Sequence, residues 1–190
     1  MNSAVAAMSV ASRDFAKAHG LEPVARLVAT GVGAVNRDVM FHKMELEDWE
    51  AVLKVDLGSM FRVTRQVIGG MRDRGFGRII NISSVNAARG QAGQTNYCAA
   101  KAGMEGFTRA LARESAGEGI TVNAVAPGYA DTPMVKAVPK RIIEGIMKEV
   151  PLSRLAEPSE IGRCVRFLAS DEAGFITGAT LAVNGGMRMG

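Results

Sequence analysis

The feature that most constrains the fold is an alternation of long segments with helical spacing and short apolar segments. Between Glu45 and Gly75, apolar residues recur at steps of three and four, the spacing of one helix face. They are Trp49, Val52, Leu53, Leu57, Met60, Val63, Val67 and Met71. The short run Arg78-Ile-Ile-Asn-Ile-Ser83 follows and predicts a buried strand.

The same order repeats further along the chain. A second long helix is predicted from Thr95 to about Ala116, and a second strand from Ile120 to Ala126, which Pro127-Gly128 ends. Two more helices are predicted over residues 139–149 and 158–169, each with proline in its first turn, and a last strand over residues 179–183. Helices that alternate with short strands imply parallel strands with crossover helices, so we predict an α/β layered sheet.

Ligands of such sheets bind at the carboxyl ends of the strands. Two polar segments are expected there, Ser83-Ser84 after one strand and Pro127-Gly128-Tyr129 after the next. The first 35 residues read differently: they predict a short helix over Ser9–Ala18 and a strand over Val24–Thr30 that enters the turn Gly31-Val32-Gly33.

Composition narrows the class of protein. Of the 190 residues, 47% are hydrophobic and 22% charged, which fits one globular domain and excludes a disordered or disulfide-stapled chain. The net charge of +4 is scattered, so it favours small acidic ligands such as nucleotides or CoA esters and does not indicate nucleic acid. Cys98 and Cys164 form no CxxC pattern, and no apolar run approaches the ~20 residues of a membrane helix. We therefore expect a cytoplasmic protein with no metal site and no membrane partner.

The segment Tyr97-Cys-Ala-Ala-Lys101 carries the clearest chemistry. Its spacing places a phenol and an ammonium on one face of the second long helix. A nearby cation favours the phenolate and would lower the pKa of Tyr97, which would suit it to exchange a proton with a substrate oxygen. The motif alone equally describes a surface tyrosine beside a lysine, so the decision depends on its neighbours.

Those neighbours resemble the short-chain dehydrogenase/reductase family over residues 36–190. The resemblance rests on Asn81-Ile-Ser-Ser84-Val, Asn96-Tyr97-Cys-Ala-Ala-Lys101-Ala-Gly, Val122-Asn-Ala-Val-Ala-Pro-Gly128 and Val183-Asn-Gly-Gly186. It implies a partial Rossmann-like, doubly wound parallel sheet. It also implies that NADPH supplies hydride, that Tyr97 donates a proton to a ketone oxygen, that Ser84 orients this oxygen, and that Lys101 lowers the tyrosine pKa and holds the nicotinamide ribose.

Within the family, the likeness is greatest to the acetoacetyl-CoA reductases, and 3-oxoacyl-ACP reductases share most of the motifs. The resemblance therefore implies a CoA or ACP thioester as substrate and a homo-oligomer built through the two long helices. The substrate-side residues it implies are Asp38, Gln91, Gln94 and Tyr129. The cofactor-binding residues it implies are Tyr97, Lys101, Pro127, Gly128, Ala130 and Thr132.

The chain departs from the family in two places. The fourth catalytic residue of the family is an Asn in the first long helix, where this chain has Asp56, whose carboxylate could compete for Lys101. The glycine-rich turn TGxxxGxG, which holds the cofactor phosphates at a helix N-terminus, does not occur among the 190 residues. We therefore expect a sheet that lacks the N-terminal dinucleotide-binding strands.

Residues 2–35 instead resemble a piece of a thiolase, through Ala6-Ala7-Met8-Ser9 and the stretch from Ala16 to Val28. A chance amphipathic helix followed by a strand is the alternative. On the first interpretation, residues 1–35 are a foreign segment joined to the C-terminal part of a reductase domain, residues 36–190, as a fusion or truncation product. We expect Val24–Thr30 to add a strand to the open edge of the sheet.

Three functions stay open at this point. The chain is an NADPH-dependent 3-oxoacyl thioester reductase, an inactive remnant that associates with intact subunits, or a CoA-binding module. The third would use the basic residues Lys136, Lys140 and Arg141 for phosphate contacts, although a solvated helix face explains them equally. Nucleotide binding distinguishes the first two.

Overall fold

A computed structural model describes residues 37–132, 135 and 139–189 of the chain. The helix and strand predicted over Ser9–Ala18 and Val24–Thr30, the turn at Gly31–Gly33 and Lys136 all lie outside the described residues. The structure gives the bounds of six α-helices: α1 (Leu46–Val52), α2 (Gly58–Asp73), α3 (Asn86–Arg89), α4 (Thr95–Ser115), α5 (Lys140–Glu149) and α6 (Pro158–Ala169). The three described strands are β1 (Gly77–Ile82), β2 (Ile120–Pro127) and β3 (Thr180–Val183). Pro139 immediately precedes α5 instead of lying in its first turn.

The three strands form a parallel sheet in the order β1-β2-β3. Gly77 pairs with Ile120 at the start of β1, and Pro127 pairs with Val183 at the end of β2. Because all strands run the same way, their carboxyl ends meet at one edge of the sheet. The predicted parallel α/β architecture is confirmed.

The core lies on both faces of this sheet. On one face, Val125 packs with the α6 residues Ile161, Val165 and Leu168. On the other face, Ile120 and Val122 pack with residues of α2 and α4. Helices therefore cover both faces, as in a doubly wound fold. This arrangement is a three-layer sandwich of the partial Rossmann-like kind that the sequence predicted.

The first long helix is continuous from Leu46 to Asp73 but contains a π-helical turn at Leu53–Leu57. The apolar spacing predicted the helix and gave no sign of this turn. Asp56 lies in the turn and is 0% exposed. A π turn holds one residue more than an α turn and is frequent at functional sites.

No helix among residues 37–132 and 139–189 is long and apolar enough to cross a membrane.

Candidate active site

The end of β1 is held in place by backbone pairing that continues past the strand. The amides of Ser83 and Val85 donate to the carbonyls of Val125 and Pro127, each at 2.8 Å. The backbone N–H of Asn86, the first residue of α3, donates to Ser84 Oγ at 3.2 Å. Ser84 is therefore fixed at the carboxyl edge of the sheet, where the sequence predicted it.

Helix α4 lies against β1 through buried polar contacts. Asn81 Nδ2 donates to Thr108 Oγ1 at 2.8 Å, and Ser83 Oγ is 3.2 Å from the Lys101 carbonyl and 2.8 Å from Glu105 Oε1. These contacts fix the height of α4 along the strand. They bring its residues Tyr97 and Lys101 to the strand end that carries Ser84.

Asn96 fixes the beginning of α4. Its side chain is fully buried, accepts the Tyr97 backbone N–H at 2.8 Å, and donates to the carbonyls of Arg37 and Asp48 at 3.2 and 3.3 Å. The Tyr97 side chain hydrogen-bonds Ser84. The structure thus brings Ser84 and Tyr97 together, as the family resemblance implied.

Lys101 lies below the tyrosine ring. Its ammonium Nζ is 5.4 Å from the ring centroid of Tyr97, donates to the Ile82 carbonyl at 3.1 Å, and is 3.7 Å from Asp56 Oδ2. The lysine side chain is 7% exposed and that of Asp56 is 0% exposed, so the two form a buried ion pair. The carboxylate that replaces the family's Asn therefore faces Lys101 directly.

The expected effect of Lys101 on Tyr97 is wrong. Burial raises the pKa of Tyr97 to about 12, the hydrogen bond from Ser84 lowers it in part, and the negative charge of Asp56 raises it further. Burial likewise lowers the pKa of Lys101, while Asp56 opposes this shift. The ammonium is directed at Asp56 and Ile82, so desolvation of the phenol outweighs its charge. Tyr97 is a neutral phenol at physiological pH, the form that donates a proton.

The four substrate-side residues lie around the short helix α3. Gln94 Nε2 donates to Asp38 Oδ2 at 2.7 Å, and Asn86 Nδ2 donates to Gln94 Oε1 at 3.0 Å. Tyr129 hydrogen-bonds the Asn86 side chain, and burial raises its pKa.

Arg89 links Gln91, the remaining predicted substrate-side residue, to the end of helix α5. It donates to Gln91 Oε1 at 2.8 Å and pairs with Glu149 at 2.6 Å. Asn86 therefore links Gln94 and Asp38 to Tyr129, and Arg89 separately links Gln91 to Glu149. The role of these residues towards a substrate stays a prediction.

Besides Tyr97 and Lys101 on α4, the predicted cofactor residues lie at the end of β2 and directly after it: Pro127, Gly128, Ala130 and Thr132. A Cβ on Gly128 would lie 2.9 Å from Asn184 Cα, so glycine is needed here for the close approach of the segment after β3. Ala130 forms a parallel bridge with Ala156, and the Thr132 amide donates to the Ala130 carbonyl at 2.9 Å. Their packing is clear, and their contact with a cofactor stays a prediction.

Sequence reasoning assigned no role to Asn86, Asn96 or Arg89, although Asn96 is the first residue of the motif that contains Tyr97. Asn86 and Asn96 immediately follow or precede the motif residues, and their burial was hidden because asparagine is ordinarily a surface residue. Arg89 acts through contacts with Gln91 and Glu149, of which the second is distant in sequence. An asparagine beside each motif was the available signal for the first two.

The chain is similar to known proteins over most of its length. A family model described as enoyl-(acyl carrier protein) reductase matches residues 11–188. This match enters the segment for which we inferred a thiolase resemblance, and the comparisons do not support that resemblance.

Relatives with two related names are similar to this chain. Acetoacetyl-CoA reductase of Shinella zoogloeoides is 57% identical over 153 residues, covering 80% of the chain and 64% of that protein. Acetoacetyl-CoA reductase of Paracoccus denitrificans is 54% identical over 168 residues, covering 87% and 69%. The 3-oxoacyl-(acyl-carrier-protein) reductase FabG of Pseudomonas aeruginosa is 49% identical over 163 residues, covering 86% and 66%. The chain thus spans about two thirds of the length of these relatives.

Proposed function

This chain belongs to the short-chain dehydrogenase/reductase family, and from that premise we propose that it carries the ketone-protonating site of a 3-oxoacyl thioester reductase. The reaction proposed is reduction of acetoacetyl-CoA to 3-hydroxybutyryl-CoA. The observation that carries this proposal is the neutral, buried phenol of Tyr97, hydrogen-bonded to Ser84 above the Lys101–Asp56 pair.

The two hydroxyls divide the work on the ketone. Ser84 Oγ accepts the Asn86 backbone N–H, and its hydroxyl hydrogen serves the Tyr97 oxygen. We propose that this hydrogen turns to the ketone oxygen when substrate binds and orients it. Tyr97 then gives its proton to the same oxygen as negative charge develops there. Preorganised donors in a buried site stabilise such an oxyanion strongly, because they need no reorganisation during the reaction.

The phenolate that remains after this step needs a proton, which we propose solvent supplies once the product has left. Lys101 stays an ammonium throughout: it donates to the Ile82 carbonyl, faces Asp56 and lies beside the tyrosine ring. The buried ammonium also stabilises the phenolate while it exists. Asp56 opposes the lowering of the Lys101 pKa that burial causes.

The hydride acceptor carbon requires a donor, and NADPH is the group we propose. When bound, it supplies the hydride. The described residues suit its nicotinamide and ribose half: Tyr97 and the free N–H of Lys101 are donors for ribose hydroxyls, and the chain after β2 from Pro127 to Thr132 would border the ring. No residue of the described site supplies a glycine-rich phosphate turn, so we propose that the chain holds the nucleotide weakly.

The thioester arm is proposed to pass Tyr129. A groove of about 210 Å³ lies beside Tyr129 and the segment that follows β3. Tyr129 belongs both to this groove and to the hydrogen bonds around Asn86. We propose CoA as the carrier and ACP as the alternative, because relatives of both names resemble the chain.

Turnover assays test the proposal. We expect acetoacetyl-CoA to be reduced slowly, with NADPH near millimolar concentration, and Tyr97→Phe to lower the rate by about 10²- to 10⁴-fold, the contribution of a general acid. Loss of NADPH absorbance measures the rate, and acetoacetyl-ACP in place of the CoA ester settles the carrier. A rate that is equal in the wild-type and Tyr97→Phe proteins would contradict the proposal and favour the inactive remnant.

A further inference from the structure

Four polar side chains near Ser84 form one continuous set of hydrogen bonds, which we name the amide relay: Asp38, Gln94, Asn86 and Tyr129. Gln94 Nε2 donates to Asp38 Oδ2 at 2.7 Å. Asn86 Nδ2 donates to Gln94 Oε1 at 3.0 Å, and the Asn86 side chain also hydrogen-bonds the Tyr129 phenol. The relay thus runs from an exposed carboxylate at one end to the substrate-side tyrosine at the other.

The carboxylate sets the direction of the whole relay. An ionised carboxylate only accepts hydrogen bonds, so Gln94 must turn its NH2 group towards Asp38. Its carbonyl oxygen then faces Asn86, which must answer with its own NH2 group. The orientations of both amides follow from the charge on Asp38, and reversing either amide would place two acceptors or two donors against each other.

Asn86 depends on the relay for its orientation. It is 6% exposed, and its Oδ1 has no hydrogen-bond partner among the described residues. No other described side chain therefore fixes which way this amide faces. The same residue binds Ser84 Oγ through its backbone N–H at 3.2 Å, so it connects the relay to the catalytic hydroxyl.

We propose that Asn86 is a positioning residue and that the Asp38 carboxylate, acting through Gln94, fixes the direction in which Asn86 donates to Tyr129 on the substrate side. This inference rests on the proposed function for its meaning but makes a claim about the relay that holds without turnover. Donor direction, and not side-chain size, is what the relay contributes to binding of the acyl thioester.

Two isosteric substitutions test donor direction. Asn86→Asp replaces the NH2 group with an acceptor, which then faces the Gln94 carbonyl, so we expect the affinity for 3-hydroxybutyryl-CoA without nucleotide to fall about tenfold, the value of one hydrogen bond. Asp38→Asn supplies a donor at the other end. In the double variant, Gln94 turns over and its hydrogen bonds to positions 38 and 86 are satisfied again, so we expect stability to return. The carboxylate at position 86 still cannot donate to Tyr129, so we expect the affinity for 3-hydroxybutyryl-CoA to stay low.

The unfolding equilibrium gives a second readout. Urea titration of the wild type, both single variants and the double variant forms a double-mutant cycle. We expect the double variant to unfold with an equilibrium constant about five- to tenfold more favourable to the native state than the two single effects predict when added. Asp73→Asn, at an exposed site on α2, removes the same charge outside the relay and should show no coupling to Asn86→Asp.

Additive effects on unfolding would overturn the relay, since a structural role for either residue alone gives no rescue of stability. Return of affinity in the double variant would equally overturn it, because donation to Tyr129 is still absent there. Should Asn86→Asp fail to fold, Gln94→Met provides the alternative, because it removes the middle amide at nearly the same size. In that background, Asp38→Asn should no longer change affinity for 3-hydroxybutyryl-CoA, and a persisting effect would contradict the relay. Rescue without any turnover would support the relay while contradicting the proposed function, so the two failures are distinguishable.

Discussion

At the scale of single residues, the site separates its charges from its proton donors. The ammonium of Lys101 and the carboxylate of Asp56 face each other in the interior, while the hydroxyls of Ser84 and Tyr97 are joined by a hydrogen bond. Removing one member of a buried ion pair leaves the other uncompensated, at a cost of about 3–5 kcal/mol. Asp56 and Lys101 are therefore expected to matter for stability as well as for chemistry.

Tyr97→Phe tests the proton donor. The variant retains the ring but lacks the hydroxyl, so we expect the rate of acetoacetyl-CoA reduction to fall about 10²- to 10⁴-fold while substrate affinity changes little. Equilibrium binding of the CoA ester, measured beside the turnover rate, separates the two effects. A variant that keeps most of its turnover would show that another group protonates the ketone.

The pKa of Tyr97 gives a second prediction. Because its value is raised to about 12, we expect no phenolate to form at this residue up to about pH 10. Asp56→Asn removes a negative charge that raises this pKa, so the titration should move to lower pH. The chain has two tyrosines, so ultraviolet titration of Tyr129→Phe reports Tyr97 alone. Titration near the ordinary tyrosine pKa before the substitution would contradict the burial of the phenol.

At the scale of elements, apolar periodicity predicted those helices and strands whose positions are decided by packing. The helix after Glu45, helix α4 and all three strands begin and end within a few residues of their predicted bounds, because apolar spacing reports which face is buried. The π turn was not predicted, since one extra residue leaves the apolar spacing almost unchanged. The pKa direction of Tyr97 was wrong because sequence shows the cation four residues away and does not show how deeply the phenol is buried.

Two glycines of α4 provide a matched test of how this helix packs on the π turn. A Cβ on Gly103 would lie 2.9 Å from Leu57 Cδ2, whereas nothing lies within 4 Å of a Cβ on Gly106. We expect Gly106→Ala to raise the free energy of unfolding by about 0.5–1 kcal/mol through helix propensity. The free energy of unfolding of Gly103→Ala should be about 1–3 kcal/mol lower than that of Gly106→Ala, because crowding displaces Leu57.

Chemical denaturation of both alanine variants measures this difference. Turnover of the Gly103→Ala protein is informative as well, since Leu57 adjoins Asp56 in the same turn. Equal stabilisation by the two substitutions would show that Leu57 moves aside without lowering the free energy of unfolding.

At the scale of the whole molecule, the nucleotide and the assembly remain as proposals. Each charge-assisted phosphate contact contributes about 1.5–3 kcal/mol, so the loss of three weakens binding by about three to six powers of ten. We expect a polypeptide of these 190 residues to bind NADPH no tighter than about millimolar. Nucleotide fluorescence in a direct titration measures this. Micromolar affinity would show that a different phosphate site exists in this chain.

Association through the two long helices is the last prediction. Phe61 on α2 is 65% exposed, and Phe175, outside both helices, is exposed throughout. If copies of the chain pair through α2 and α4, Phe61→Glu should lower the mass measured by size-exclusion chromatography with light scattering, because a charge replaces buried apolar area. Phe175→Glu is the matched control and should leave the mass unchanged. A lower mass for Phe175→Glu and an unchanged mass for Phe61→Glu would show that copies of the chain do not pair through α2.

The π turn at Leu53–Leu57 also bears on how such a site can arise by descent. A π turn absorbs a single inserted residue within a helix, so the helical faces on either side of Leu53–Leu57 keep their packing. Gain or loss of one codon in this turn therefore adds or removes an inward-facing side chain without rebuilding the domain. Ancestral chains could exchange the chemistry at Asp56 in one genetic step while the rest of the sheet and its helices stayed folded.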